Sequence, residues 1–336
     1  MIKLGIIGAG TVFQYQIAAL AALSHDYTVM AVCDADAQKA ANAPAALKQA
    51  GVLGEPRVFF NTADFLACDA DAVLISTPPA THFTLARDCL AAGKAVLLEK
   101  PAVLSLNALD ALYAQAKASG TLLHIAYHAA FAVELAWLIR ERATLVREYG
   151  LASLSKVYCG FYDPYAAAEQ PLGKAGALCG SYIDSGVNAL SVCDRIVDLK
   201  GFSSVSHRVA TNREGVVIAS TTRFSDQRVE LLVDTDWTRG LNRKRTVLQY
   251  EGGDRQLVLD HSNQRVILQR AMPEAQVLHA LYGAEAVGDC LFEDASQPRL
   301  KRQYAGVFED FARAFTKGRA NEDATKAIHR LLLENA

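Results

Sequence analysis

The sequence predicts a two-part α/β protein: an N-terminal Rossmann unit with a doubly wound parallel sheet, then an α+β domain on a large, mostly antiparallel open sheet. Three observations carry this. An apolar run, Ile2 to Ile7, leads directly into Gly8-Ala9-Gly10 and a helical pattern. Strand-like and alanine-rich helical segments then alternate as far as Ala126. From about Ser155 strand-like runs follow one another across short turns. Alternation implies a parallel sheet covered on both faces, whereas strands joined by short turns pair antiparallel. The expected domains are 1–126 and 127–336, with C-terminal helices free to pack back on the first.

The opening strand, turn and helix (Gln14 to Leu23) are suited to a dinucleotide. Gly8 and Gly10 let the backbone bend and approach a pyrophosphate, and Thr11 and Val12 lead into a helix whose positive end favours its charge. Phe13 departs from the pattern, since a third Gly or Ala usually stands there. A second strand, Thr28 to Cys33, ends at Asp34, about 24 residues after Gly10, where an acid can bond both hydroxyls of an adenosine ribose. That carboxylate repels a 2′-phosphate, and Ala35, Asp36 and Ala37 supply no arginine to offset it. NAD is therefore the expected cofactor, with NADP use left open.

Further strands are expected at Arg57 to Phe60, Ala72 to Ser76, Lys94 to Leu98 and Thr121 to Ala126, with helices at Thr81 to Ala92 and Ser105 to Ser119. Ligands of such sheets bind at the carboxyl ends of the strands. Two polar clusters lie there: Ser76-Thr77-Pro78-Pro79-Ala80-Thr81-His82 and Glu99-Lys100-Pro101. Pro101 disfavours helical geometry at Lys100, which directs that side chain to the crevice; a solvated strand-end charge is the plainer reading. Pro78 and Pro79 stiffen their loop. His82 either meets the cofactor or begins a helix, and His128, at the same rim as Lys100, is either a ligand group or a structural histidine.

In the second half a strand at Ser155 to Tyr162 precedes a helix from Tyr182 to Leu199. Strands follow at Phe202 to Thr211, Val216 to Phe224, Arg228 to Trp237, Arg243 to Glu251, Arg255 to Leu259 and Arg265 to Gln269. Helices close the chain at Leu300 to Lys317 and Asp323 to Asn335. Ala271 to Gln297 lacks a pattern and reads as a loop over the site. The basic cluster Arg239 to Arg245 reads as a solvated hairpin, Tyr162-Asp163-Pro164-Tyr165 as a turn, and Trp237 as sheet packing rather than a platform for a sugar ring. Asp184 and Asn188, four residues apart near a helix start, share one helix face; an aspartate there is also an ordinary cap.

These motifs together resemble the Gfo/Idh/MocA family of glucose-fructose oxidoreductases and inositol 2-dehydrogenases. The resemblance rests on Gly8-Ala-Gly10, Cys33-Asp34, Ser76-Thr-Pro-Pro79 with His82, Glu99-Lys100-Pro101 and Asp184-x-Gly186, and covers residues 1 to about 200. It implies an NAD(P)-dependent dehydrogenase acting on CH-OH groups, with Lys100 beside the nicotinamide and the substrate hydroxyl and Asp184 as a second catalytic group. Cofactor contacts would come from Gly8, Gly10, Thr11, Val12, Asp34, Ser76, Thr77, Pro78, His82, Glu99 and Lys100, and substrate contacts from Lys100, His128, Asp184 and Asn188.

One departure is informative: where the family carries a histidine this chain has Asn188, and an amide exchanges no proton near neutral pH. Asp184-Ser-Gly-Val-Asn188-Ala-Leu-Ser, with Tyr127-His128 and Asp236-Trp237, resembles the family's aldose 1-dehydrogenase branch, the arabinose and galactose dehydrogenases. Those enzymes oxidise the anomeric carbon of a free sugar to a lactone. On that resemblance the catalytic residues are Asp184 as proton acceptor, Asn188 as the amide that orients the sugar and Lys100 as a positive group or proton relay. Which of Asp184 and Lys100 takes the proton first is open. The alternatives are a sugar or cyclitol dehydrogenase or reductase working at another ring carbon, and a non-catalytic sugar or dinucleotide sensor.

Composition fits these expectations. At 336 residues and 51% hydrophobic the chain can fill two cores. A formal net charge of −2 without long Lys or Arg runs argues against nucleic acid as a partner. Seven scattered cysteines point to free thiols, no metal site and a reducing compartment. No apolar run reaches the ~18 residues of a membrane span, so the expected location is cytoplasmic. The open sheet face predicts a homodimer or homotetramer.

Overall fold

The computed structural model describes residues 1–166 and 172–335. The chain divides into two compact units, residues 1–128 with 300–326 and residues 129–299 with 327–336.

The first unit contains β1 (Ile2–Ile7), α1 (Phe13–Ala22), β2 (Tyr27–Cys33), α2 (Ala37–Ala50), β3 (Arg57–Phe59), α3 (Thr62–Leu66), β4 (Ala72–Ile75), α4 (Pro79–Ala91), β5 (Ala95–Glu99), α5 (Leu106–Ala118) and β6 (Leu123–Ala126). The six strands form one parallel sheet in the order β3-β2-β1-β4-β5-β6. This is the expected doubly wound fold. Every residue of β4 and β5 is buried, which explains their unbroken apolar sequences. The strand order reverses between β1 and β4, so the ligand crevice of such a sheet opens at their carboxyl ends. Pro79 opens α4 at a position where the missing N–H has no helical partner to lose.

Helix α9 (Arg299–Lys317) adds to this unit. Asp310 pairs with buried His124 at 3.1 Å, and the Tyr27 hydroxyl donates to the Phe308 carbonyl. The Asn321 amide bonds both the N–H and the C=O of Ile125, at 3.1 and 2.9 Å, and so satisfies backbone groups on the edge strand β6.

The second unit contains α6 (Val133–Tyr149), β7 (Leu154–Tyr162), α7 (Ser181–Asp194), β8 (Ser203–Thr211), β9 (Val217–Ser225), β10 (Glu230–Asp236), β11 (Arg243–Tyr250), β12 (Arg255–Asp260), β13 (Arg265–Arg270), α8 (Glu274–Tyr282) and β14 (Asp289–Glu293). The last residues of α10 (Glu322–Leu333) also belong here. Its eight-stranded sheet runs β14-β13-β12-β11-β7-β10-β9-β8. All neighbours are antiparallel except β7 and β10, which pair parallel. Helix α7 lies against β7, β9 and β10, and α8 against β7 and β11.

Several expectations need correction. The segment expected to be a loop, Ala271 to Gln297, holds α8 and the edge strand β14. Its apolar anchors, Val277 and Leu281, pack on Tyr158, Tyr162 and Val258, partners that no local pattern reveals. Helix α7 stops at Asp194, short of Leu199, and α6 had no counterpart in the sequence reading.

The basic cluster is also not a solvated hairpin. Lys244 and Arg245 are neighbours on β11, and strand alternation sends them to opposite faces of the sheet. Lys244 is 5% exposed and bonds Asp163 at 2.6 Å. Arg245 is 1% exposed and bonds its cross-strand partner Asp260 at 3.0 Å, while its Nη1 takes the carbonyls of Ala280 in α8 and Ala284 just past it. A solvated arginine contributes almost nothing, but removing one partner of a buried pair strands the other charge. Arg245→Met is therefore expected to destabilise the protein by about 3–5 kcal/mol in denaturant unfolding; a change below about 0.5 kcal/mol, normal for a surface site, would restore the hairpin reading.

Candidate active site

In the first unit the polar groups expected to meet a cofactor gather at the carboxyl ends of β1, β2, β4 and β5. Gly8 has φ +100°, and a Cβ there would stand 2.4 Å from the Ser76 carbonyl oxygen, so only glycine fits between the two loops. Gly10 has open space where a Cβ would be, and α1 has no side-chain cap at Val12. Space at the turn and an uncapped helix start fit a pyrophosphate, whose charge would take up the N–H groups of that turn. Phe13 is buried as the first residue of α1, which accounts for an aromatic at the expected glycine position. Asp34 is tied into the same corner: its carboxylate accepts from the N–H of Ala9 at 2.8 Å and of Asp36 at 2.8 Å. Asp36 in turn caps α2.

Glu99 is buried at the heart of this corner. Its Oε1 accepts from the Gln16 amide at 2.9 Å and the Tyr304 hydroxyl at 2.7 Å, and its Oε2 from the Lys100 N–H at 3.2 Å. Gln16 also donates to Ser76 Oγ at 3.1 Å. Burial raises the Glu99 pKa, opposed by the Tyr304 hydroxyl and the Lys100 charge. The carboxyl thus reads as an anchor for the Lys100 loop, not as a group offered to a dinucleotide. Lys100 and Pro101 are joined by a cis peptide bond.

His82, expected among the cofactor contacts, is fully buried in α4. Its ring nitrogens face the carbonyls of Pro101 and Thr77, each at 2.8 Å. Burial lowers its pKa. The ring lies between the two ligand loops, and as a neutral imidazole it donates to one of the two carbonyls. His128 likewise has protein partners, with Nδ1 3.1 Å from Gln303 Oε1 and its ring 5.2 Å from that of Tyr304. Thr77 and Pro78 sit on the loop that opens α4, where Thr77 bonds Thr81 at 2.7 Å.

In the second unit the site residues lie on α7, whose residues from Ser181 to Cys193 are all buried. The helix starts at Gly180, with φ +89°, where a Cβ would meet the Val217 carbonyl oxygen at 2.8 Å. Asp184 is not the cap of this helix; it lies within its first turns and is 7% exposed. One turn on, the Asn188 amide nitrogen donates to the Asp184 main-chain carbonyl at 3.2 Å. A carbonyl only accepts, so this contact fixes the amide orientation and leaves Asn188 Oδ1 as an acceptor. Among the described residues that oxygen is buried without a partner.

Beside this turn, Lys244 Nζ bonds Asp163 Oδ1, the Tyr162 carbonyl at 3.1 Å and Asn242 Oδ1 at 2.5 Å. Asp163 Oδ2 accepts from Ser185 Oγ at 2.9 Å, and Ser185 accepts from Trp237 Nε1 at 3.1 Å. Trp237 is fully buried just past the end of β10, where it packs with Ala166 and Leu172. The Tyr162-Asp163-Pro164-Tyr165 stretch does turn, with the Tyr165 N–H on the Asp163 carbonyl at 2.9 Å, but Asp163 is also the centre of this buried network. Sequence reasoning missed Gln16, Tyr304, Lys244 and Asp163. Gln16 had a signal, an amide on the apolar stripe Phe13, Ile17, Leu20; the others gain meaning only from partners 22 to 205 residues away.

A family model described as an oxidoreductase family with an NAD-binding Rossmann fold matches residues 2–127. Over those residues the chain is similar to the Gfo/Idh/MocA oxidoreductase family. The match makes the first unit the NAD-binding Rossmann fold of an oxidoreductase. The rhizopine catabolism protein MocA of Rhizobium meliloti is 29% identical over 242 residues, 71% of this chain and 69% of that one. Galactose 1-dehydrogenase of Pseudomonas fluorescens is 30% identical over 173 residues, 51% of this chain and 53% of that one. In fold, the chain is similar to a 3-ketoreductase from Actinomadura kijaniata, with TM-score 0.77 and 18% identity over 99% of this chain and 96% of the other. Among the described residues no group of His, Cys, Asp and Glu is arranged to hold a metal ion, and no helix is long and apolar enough to cross a membrane.

The environment of Asp34 yields a direct test of cofactor choice. Asp34→Ala removes the acceptor for the ribose hydroxyls and the charge that repels a 2′-phosphate, and hydrogen bonds to a charged group are worth about 1.5–3 kcal/mol. The ratio of kcat/KM with NAD to that with NADP should fall by roughly tenfold to a hundredfold; an unchanged ratio would show that Asp34 does not read the ribose.

Proposed function

We propose that this oxidoreductase is an aldose 1-dehydrogenase that oxidises the anomeric carbon of a free sugar to the lactone. The observation that carries the reading is the Asp184–Asn188 turn. The residue one turn after the carboxylate is an amide whose nitrogen is spent on a helix carbonyl and whose buried oxygen is an acceptor, so Asp184 is the group on that turn able to take a proton. An anomeric hydroxyl is more acidic than other sugar hydroxyls, and a carboxylate suffices to accept its proton.

When bound, the nicotinamide accepts hydride. The anomeric C–H bond breaks and its electron pair leaves with hydrogen as hydride. The hydroxyl proton goes to the Asp184 carboxylate, the C–O bond becomes the lactone carbonyl, and Asp184 then releases the proton to water. Asn188 Oδ1 accepts from a sugar hydroxyl and fixes the ring. Lys100, held by the anchored Glu99 loop, supplies positive charge to the oxygen that loses its proton. The similarity to galactose 1-dehydrogenase supports this choice of carbon. The similarity to a 3-ketoreductase supports the second reading, oxidation or reduction at a ring carbon of a sugar or cyclitol.

Cytoplasmic location and a homodimer or homotetramer complete the proposal. The edge strand β8 leaves Val205 66% and Val209 47% exposed, apolar surface that a second copy would cover. Light scattering at the mass of one chain would contradict that part.

Nucleotide reduction should occur with free aldoses, and 1-O-methyl glycosides, myo-inositol and sugar alcohols should be inert. Asp184→Asn should lower kcat/KM by about 10²–10⁴-fold, the usual contribution of a positioned base. Turnover of inositol but not aldoses would replace the first reading by the second.

A further inference from the structure

The network around Lys244 reaches beyond the residues assigned so far. A buried lysine is costly unless its charge and all three donors are satisfied. Here the donors go to Asp163, Asn242 and the Tyr162 carbonyl, and each of these partners stands where the sheet ends beneath the first turns of α7. Asp163 passes the connection to α7 through Ser185, the residue next to Asp184. Ser185 is held from a second side by Trp237, and Ser181, one turn earlier, receives the Thr235 hydroxyl at 3.3 Å. The helix face that carries Asp184 and Asn188 is therefore pinned by polar contacts to the ends of β7, β10 and β11.

We propose that Lys244 is a positioning residue of this reaction: through Asp163 and Ser185 it fixes the rotation and height of α7, and its buried charge draws the Asp184 carboxylate to a defined place. Burial and the nearby Arg299 disfavour the charged ammonium, while Asp163 and Asp184 favour it, so Lys244 is attracted to both carboxylates. The proposal rests on the reading of Asp184 as proton acceptor. Effects of about 10²-fold on rate follow from displacements near 1 Å, which is the scale on which loss of such a peg acts.

Loss of a positioning contact and loss of a fold are separated by neutralising the pair. Lys244→Met alone strands a buried Asp163 and should lower Tm. The double variant Lys244→Met with Asp163→Asn removes both charges together and should recover most of that Tm. If Lys244 positions Asp184, the double variant keeps its low kcat, roughly tenfold to a hundredfold below wild type, with KM for NAD within about twofold. If the pair only holds the fold, kcat returns with Tm, and the proposal is overturned. Ser185→Ala provides the deciding measurement should the double variant not fold. It cuts the link to α7 without stranding a charge, although the Trp237 N–H loses its acceptor and Tm falls somewhat; assayed at a temperature where the variant is folded, a severalfold loss in kcat supports the proposal and an unchanged kcat overturns it. Asp184→Asn, run alongside, separates the two levels. Full activity in that variant removes the assignment of Asp184 itself, whereas an inactive Asp184→Asn with an active double variant removes only the role of Lys244.

Discussion

A helix buried over its whole length cannot carry a carboxylate in its first turns unless the protein arranges for the charge. Helix α7 is such a helix, and most of what is unusual in the second unit follows from it. Lys244 and Asp163 are buried together, Trp237 turns its N–H to Ser185 instead of to solvent, and Gly180 lets the chain enter the helix against the backbone of Val217. An apolar junction would be simpler and at least as stable, since replacing buried ion pairs by well-packed hydrophobic groups is often neutral or stabilising. Retaining polar groups beneath one helix turn is understandable if that turn must sit at a fixed place with a fixed charge.

The first unit meets a similar demand by different means. Glu99 takes an amide, a hydroxyl and a main-chain N–H, from α1, α9 and its own loop, three donors that hold its carboxylate in place. The His82 ring packs between the carbonyls of Thr77 and Pro101 and donates to one of them. In both units the groups expected to do chemistry, Lys100 and Asp184, sit beside buried polar clusters rather than on mobile surface, the condition under which a site keeps its geometry to a fraction of an ångström.

The sequence made the architecture legible because its signals are local. The glycine turn, the apolar runs of β4 and β5, the acid at Asp34 and the regular turns from Asn212 to Gln264 each report a structure within ten residues of themselves. The errors have one cause. Lys244 and Arg245 look like solvated charges because nothing near them in the chain is acidic; their partners are Asp163, 81 residues away, and Asp260, across one strand pair. For His82, open between a cofactor contact and a helix start, and for Glu99, expected among the cofactor contacts, the local chain does not show the partners: backbone carbonyls for the one, and for the other Gln16 and Tyr304, the latter brought by α9 from 205 residues away. Helix α8 escaped notice because its apolar face is two residues wide and meaningful only against Tyr158 and Tyr162. Asn188 was legible as an amide in place of histidine, but its role as an acceptor rather than a donor required the contact to the Asp184 carbonyl.

The measurement that bears most directly on the account is the fate of deuterium. An aldose labelled at C1 is incubated with the enzyme and NAD, and the nucleotide and sugar products are read by NMR and mass spectrometry. Anomeric oxidation delivers the label to the nicotinamide C4 position and leaves an unlabelled lactone. Label retained in an oxidised sugar beside unlabelled NADH would place the chemistry at another carbon and contradict the assignment of Asp184 and Asn188 to an anomeric hydroxyl.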